Sequence, residues 1–213
     1  DDLNEHQDGD EEDGAVCNDV LEAQQSAFRL RKGEKGWAVI PKSQYRRGSE
    51  PLRYSLLAMI DRAARETDTE PSDDQRKAGN YRKGKVRVQG LEISIENPKG
   101  SIRRGKSKDG KEWSVKMKSH YGYVRGQGES EADGDPVDVF LGPCPESEAV
   151  FVIDQQKPDG RYDEHKVMVG WYDADSAKQA YLDNYSSDWK GFQAITALTM
   201  PQFKTWLERG DTG

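Results

Sequence analysis

Lys85-Val86-Arg87-Val88-Gln89-Gly90-Leu91-Glu92-Ile93-Ser94-Ile95 alternates apolar and polar residues with a period of two, and the phase changes at Gly90. A period of two places Val86, Val88, Leu91, Ile93 and Ile95 on a buried sheet face, and the phase change predicts a strand with a β-bulge at Gly90. Further short strands are predicted at Trp113–Met117, Tyr121–Arg125, Val137–Leu141, Ala149–Asp154 and His165–Trp171. Turn formers such as Asp109-Gly110 and Asp159-Gly160 separate them. Short strands at this spacing predict a mainly β domain built as a small antiparallel barrel, not a doubly wound sheet.

Two helices are expected to close the chain. Ser176–Tyr185 brings Ala177, Ala180, Tyr181 and Tyr185 to one side. After it, Thr199 and Gln202 have capping-box spacing and Leu198 is placed to staple onto Phe203, ahead of an apolar stripe of Phe203, Trp206 and Leu207. Towards the N-terminus, Gly36–Pro41 reads as a short strand. Leu52, Leu56, Met59, Ile60 and Ala63 recur at helical spacing, with Ser49 as N-cap and Pro51 in the first turn.

The 213 residues suit one domain with an appendage; 33% are hydrophobic and 33% charged. The mean hydropathy of −1.00 places part of the chain outside any packed core. Residues 1–13 hold eight acidic residues and no Lys or Arg, so they read as a solvated acidic tail. The rest is near neutral, with 31 of the 39 acidic residues against all 32 basic ones. The expected organisation is that tail, an extension or fragment of a neighbouring domain over residues 14–67, and a barrel domain over 68–213. No apolar run is long enough to span a bilayer. Cys17 and Cys144, without a CxxC partner, exclude a disulfide scaffold, and with three scattered His residues they give no zinc signature. A reducing compartment such as the cytoplasm is expected. The chain opens on Asp1, which suits a piece of a longer polypeptide.

Three groups of residues carry chemistry. Asp133-Gly134-Asp135-Pro136-Val137-Asp138 crowds three carboxylates onto a turn entering a strand. Such crowding is costly unless cations neutralise it or water screens it, so the segment reads either as a plain Asp-Gly turn or as hard oxygen ligands that suit magnesium or manganese. Asp159-Gly160-Arg161-Tyr162-Asp163-Glu164-His165-Lys166 runs from a turn into a strand that sets Glu164 and Lys166 on one face, as a plain surface pair or, beside a metal, as one ligand and one phosphate-binding cation. Lys99, Arg103, Arg104, Lys106, Lys108 and Lys111 form a basic, Gly-containing stretch, read as a solvated hairpin, a nucleic-acid patch or a clamp on an anionic substrate. Paired acids with Lys, Arg and the Tyr121 phenol are what phosphoryl transfer uses, and no Walker-type or dinucleotide glycine loop is present.

In this order the motifs resemble the soluble family I inorganic pyrophosphatases. Asp133–Val139 matches the family signature, Tyr121-Gly122-Tyr123 precedes it, and Glu96-Asn97-Pro98 resembles the Glu-x-Pro strand end. Asp159, Glu164 and Lys166 reproduce the spacing of the acid, acid and lysine, with Glu164 where Asp is usual. A closer likeness is to the pyrophosphatase-like domain inside large multidomain proteins of phages and mobile elements. It is carried by Gly79–Gly84, Phe140–Pro143, Asp163–Met168 and the stretch from Ile195 to Leu207.

The resemblance implies a five-stranded barrel of the oligonucleotide-binding type with flanking helices. It implies magnesium-dependent hydrolysis of pyrophosphate, with manganese as a substitute metal. Asp133, Asp138 and Glu164 (or Asp163) would hold metal, with Asp159 and Glu96 helping to hold more, and Asp135 would be the general base. Lys166, Tyr121, Arg103 or Arg104, Lys111 and Lys190 would bind phosphate oxygens, with Trp189-Lys190 standing for a family Tyr-Lys pair. The alternatives are a larger phosphoanhydride such as a nucleotide on the same site, and a barrel module that binds nucleic acid without catalysis.

Overall fold

The computed structural model describes residues 28–31, 37–40, 50–106, 110–126 and 136–209. The opening alternation folds as a hairpin. Strand β3 (Gly84–Val88) pairs antiparallel with β4 (Leu91–Asn97), with Val88 opposite Leu91. Gln89 and Gly90 both have positive φ, 48° and 85°, so the phase change is a two-residue turn and not the expected bulge. Positive φ at both central positions matches the right-handed twist of the flanking strands, and a glycine carries that conformation without steric cost.

The remaining strands are β1 (Phe28–Arg31), β2 (Trp37–Ile40), β5 (Ile102–Lys106), β6 (Glu112–Lys116), β7 (His120–Val124), β8 (Asp138–Leu141), β9 (Ala149–Gln156), β10 (Tyr162–Val169) and β11 (Phe192–Thr199). Helices are α1 (Glu50–Glu66), α2 (Asp73–Ala78), α3 (Ala174–Asp183) and α4 (Met200–Arg209). Seven strands form one sheet in the order β11-β9-β10-β8-β7-β4-β3, while β1-β2 and β5-β6 are separate two-stranded ribbons. The fold is mainly β with flanking helices, as expected. The five-stranded closed antiparallel barrel is corrected: the sheet has seven strands, β10 runs parallel to β8, and among the described residues no ladder joins β3 to β11.

Alternation sorts the sheet into two cores. Val139, Val150, Val152, Val167 and Val169 face one side with Val86, Ile93 and Ile95, covered by Ile60 and Ala63 of α1 and Phe203 and Leu207 of α4. Phe140, Phe151, Ile153 and Met168 face the other side with Tyr121, covered by Ala177 and Tyr181 of α3. Helix α1 keeps the expected period with a rotated phase. Leu56, Ile60 and Ala63 are buried, whereas Leu52 and Met59 are each 46% exposed. The N-cap expected at Ser49 lies outside the described residues.

Close backbone approach sets these layers. A Cβ on Gly122 in β7 would stand 1.8 Å from the Ser94 carbonyl oxygen, so no side chain fits between β4 and β7 there. In α4 the capping box forms as expected: the Gln202 backbone N–H donates to Thr199 Oγ1, and the Thr199 N–H donates to Gln202 Oε1 at 2.8 Å. Leu198 packs partly buried against the cluster that contains Phe203. Among the described residues, no helix is long and apolar enough to cross a membrane.

Candidate active site

Ladder register brings four of the expected residues, Tyr121, Asp138, Glu164 and Lys166, together at one end of the Tyr121–Phe140 face. Parallel pairing of β8 and β10 sets Asp138 opposite Lys166, and antiparallel pairing of β7 and β8 sets Tyr121 opposite Phe140. Glu164 precedes Lys166 by two residues and lies at a register irregularity between β9 and β10. Such irregularities re-aim side chains, and here Glu164 meets the Lys166 ammonium.

The centre is the Lys166 ammonium. The residue is 2% exposed, and its Nζ donates to Asp138 Oδ2, to Glu164 Oε2 at 2.6 Å and to Tyr121 Oη at 3.4 Å. The Tyr121 O–H in turn donates to Asp138 Oδ2. Arg103, on β5, donates from Nη2 to Tyr121 Oη at 3.3 Å, with its guanidinium carbon 4.4 Å from the Tyr121 ring centroid.

Protonation states follow. Burial alone would lower the Lys166 ammonium, but the phenols and the Asp138 and Glu164 carboxylates outweigh it and carry it well above its ordinary value. Burial first, then the Asp138 charge, pushes the Tyr121 phenol well up, against the pull of Lys166 and Arg103. Tyr121 is therefore an O–H donor at neutral pH. Burial works against the Arg103 charge too, and Tyr121, Tyr185 and Asp138 more than restore it. Two fixed cations and a fixed donor thus form one cluster with two carboxylates.

Other expected site residues are held elsewhere. Glu96 pairs with Lys83 at 2.8 Å, and Lys83 also lies over the Tyr123 ring. Asp159 is tied to Arg161 at 2.7 Å in an exposed turn, and Asp163 reaches Lys157 at 3.6 Å. Arg104 faces Glu70 at 3.8 Å, so of the two adjacent arginines it is Arg103 that reaches Tyr121. Lys111 and Lys190 are both exposed and both act on the Asp188 carboxyl, which the Ser186 hydroxyl first and these lysines further hold below its ordinary value. Trp189 donates its indole N–H to Tyr181 Oη at 3.0 Å and stacks on Tyr185. Asp133 and Asp135 lie outside the described residues.

Sequence reading missed Gln155 and Tyr185. Gln155 is 3% exposed; its Oε1 accepts from Tyr181 Oη at 3.0 Å and Tyr185 Oη at 3.1 Å. Two phenol donors fix the amide so that Nε2 must face the acids, and it donates to Glu164 Oε1 at 2.8 Å and Asp163 Oδ2 at 3.3 Å. Gln155→Ala is expected to leave both phenols without their acceptor and Glu164 without its tether. The expected cost is about 1–3 kcal/mol of stability in denaturant titrations, as for other buried groups left unpaired.

Asp138 and Glu164 are oxygen-only donors at one mouth, the chemistry that hard divalent cations select, so the donor set fits magnesium in kind. Among the described residues, no three His, Cys, Asp or Glu side chains converge as a metal site. Lys166 occupies the place between the two carboxylates.

A buried ammonium and a guanidinium are thus set with two carboxylates and a phenol at the end of a mixed sheet. The chain belongs to the inorganic pyrophosphatase family, whose model, described as Inorganic Pyrophosphatase, matches residues 73–208. Among solved structures, an inorganic pyrophosphatase from Coxiella burnetii is similar at 16% identity and a TM-score of 0.30, over 55% of this chain and 89% of that one. Comparison with curated proteins gives no match.

Proposed function

We propose that this domain hydrolyses inorganic pyrophosphate to two phosphates with magnesium. The observation that carries the reading is the meeting of Tyr121, Asp138, Glu164 and Lys166, far apart in the chain, around one buried cation. A structural ion pair needs one carboxylate. Here a second carboxylate, a phenol and Arg103 crowd the same point and open to solvent through the half-buried Glu164.

Asp138 and Glu164, with Asp133, would hold magnesium once the Lys166 ammonium that stands between them turns to the substrate. Bound there, the ion would supply charge neutralisation and a lowered water pKa. Lys166 and Arg103 bind phosphate oxygens and take up the negative charge that grows on the leaving phosphate. The Tyr121 phenol, which stays protonated, donates to a phosphate oxygen. Asp135 accepts the proton of the attacking water. Lys111 and Lys190 add positive potential at the rim and draw the substrate in. Glu96 and Asp159 join as further ligands only by leaving Lys83 and Arg161.

Phosphate release from pyrophosphate is expected with magnesium, to stop on chelation, and to fall by about 10²–10⁴-fold in Asp135→Asn, the usual range for a lost proton acceptor. Full release by Asp135→Asn, or none from the unaltered chain with any divalent ion, contradicts the proposal.

A further inference from the structure

We infer that the Lys83 ammonium stands in for a divalent cation at Glu96, so that this chain binds one magnesium ion fewer than its carboxylates would otherwise hold. The inference rests on the pyrophosphate reading and deepens it. Gly84 pairs with Ile95 at the start of the β3–β4 ladder, so Lys83 and Glu96 stand side by side one step beyond it. Gly84 is itself pinned: its N–H donates to the buried Thr67 hydroxyl at 3.0 Å, and the Ala63 carbonyl leaves no room for a Cβ. On the next strands Tyr123 is opposite Ser94 on one side and Asp138 on the other. Directly opposed residues are side-chain neighbours on one face, so a single ring, Tyr123, separates Lys83 from Asp138.

The ammonium is held on three sides. Its Nζ is 2.8 Å from Glu96 Oε1, 4.8 Å from the Tyr81 ring centroid and 5.1 Å from that of Tyr123. The Tyr81 O–H donates to the same Glu96 oxygen at 3.5 Å. The Lys83 and Glu96 side chains are only 15% and 22% exposed. An ammonium within about 6 Å of an aromatic face is attracted to it, and more strongly when water is kept away. Burial works against the Lys83 charge, but the hydrogen bond and charge of Glu96, then Tyr123, outweigh it and hold the ammonium above its ordinary value.

Charge balance separates this seat from the one at Asp138. There two carboxylates share the Lys166 ammonium, which leaves negative charge over for a divalent ion. At Glu96 one carboxylate meets one ammonium and the charges cancel. A magnesium ion taking Glu96 would leave the Lys83 charge half-buried without its partner, which is costly. The two rings hold an ammonium, whereas magnesium takes oxygen ligands and keeps several waters. Lys83 therefore stays on Glu96 while Lys166 is drawn to the substrate.

The test is calorimetric titration of magnesium into the unaltered chain, Glu96→Gln, Lys83→Met and the double variant, read as ions bound per chain. Glu96→Gln keeps an oxygen for the ammonium and should bind as many ions as the unaltered chain. Lys83→Met should bind one more, and the double variant should lose that ion again. A lower count in Glu96→Gln than in the unaltered chain overturns the inference and leaves the pyrophosphate reading standing. No gain in Lys83→Met, or a gain that persists in the double variant, does the same. If circular dichroism shows that Lys83→Met does not fold, the Glu96→Gln count alone decides. Phosphate release from pyrophosphate by the unaltered chain is measured beside the titrations. Its absence with any divalent ion overturns the pyrophosphate reading, while the ion counts still decide the seat at Glu96.

Discussion

Lys166→Met is expected to lose turnover by about 10²–10³-fold, the cost of removing one preorganised donor from a site of developing charge. It is also expected to destabilise the fold by about 3 kcal/mol. Removing one partner of a buried pair usually costs about 3–5 kcal/mol, because the other charge is left uncompensated. Here the two carboxylates retain access to water, Asp138 at 22% and Glu164 at 39% side-chain exposure, which favours the lower figure. Denaturant unfolding read beside kcat separates the two losses. The pH dependence has a definite sign. With its folded pKa raised above the unfolded value, Lys166 contributes stability that is fully present below the ordinary lysine pKa and is lost only as pH rises through the folded value. Unaltered protein should therefore show no Lys166-linked change in stability between pH 6 and about pH 9.

The second large effect is expected at Asp138, through two substitutions that divide structure from chemistry. Asp138→Asn keeps an oxygen that accepts from Tyr121 and Lys166 but removes the charge. It should fold with a stability loss near 1 kcal/mol, on the order of one charge-assisted hydrogen bond made neutral, while turnover falls by about 10³-fold. Asp138→Ala removes the acceptor as well, leaving the buried Lys166 with Glu164 as its only carboxylate, and should cost about 3 kcal/mol besides the same loss of turnover. If Asp138→Asn were as active as the unaltered chain, Asp138 would be a structural counter-ion alone.

How far the sequence foretold this arrangement depended on the distance over which each signal acts. The period of two in Val86–Ile95 is local and gave the buried face. The Gln89-Gly90 turn looks like a bulge in sequence because only Gly90 advertises positive φ, and Gln89 gives no such sign. Helix α1 shows its period but not its phase, since Gly84 decides which side docks: a Cβ there would fall 1.7 Å from the Ala63 carbonyl oxygen. β11 escaped notice because Ala194 and Ala197 dilute its β-propensity on an edge strand. The basic stretch reads as a solvated hairpin and folds as the β5–β6 ribbon, but Arg103, Arg104, Gly105 and Lys106 carry no apolar alternation that would bound a strand there. Seven strands and a parallel β8–β10 pair are matters of long-range pairing that short apolar runs do not encode.

The site divides in the same way. Glu164 and Lys166 share a face by local geometry, and the aspartate-rich turn flagged Asp138. Arg103 and Arg104 were indistinguishable until the ribbon register sent one to Tyr121 and the other to Glu70. Gln155 carries no sequence signal, because an amide on a strand gains meaning only from Tyr181 and Tyr185 on one side and Glu164 on the other.

Calorimetric titration of magnesium into the unaltered chain and Asp138→Asn tests the site most directly, because it reads the carboxylates without requiring turnover. Saturable uptake by the unaltered chain, lost or much weakened in Asp138→Asn, is the predicted result. Absence of uptake by the unaltered chain, or equal uptake by both, would contradict a divalent-cation site at Asp138 and Glu164.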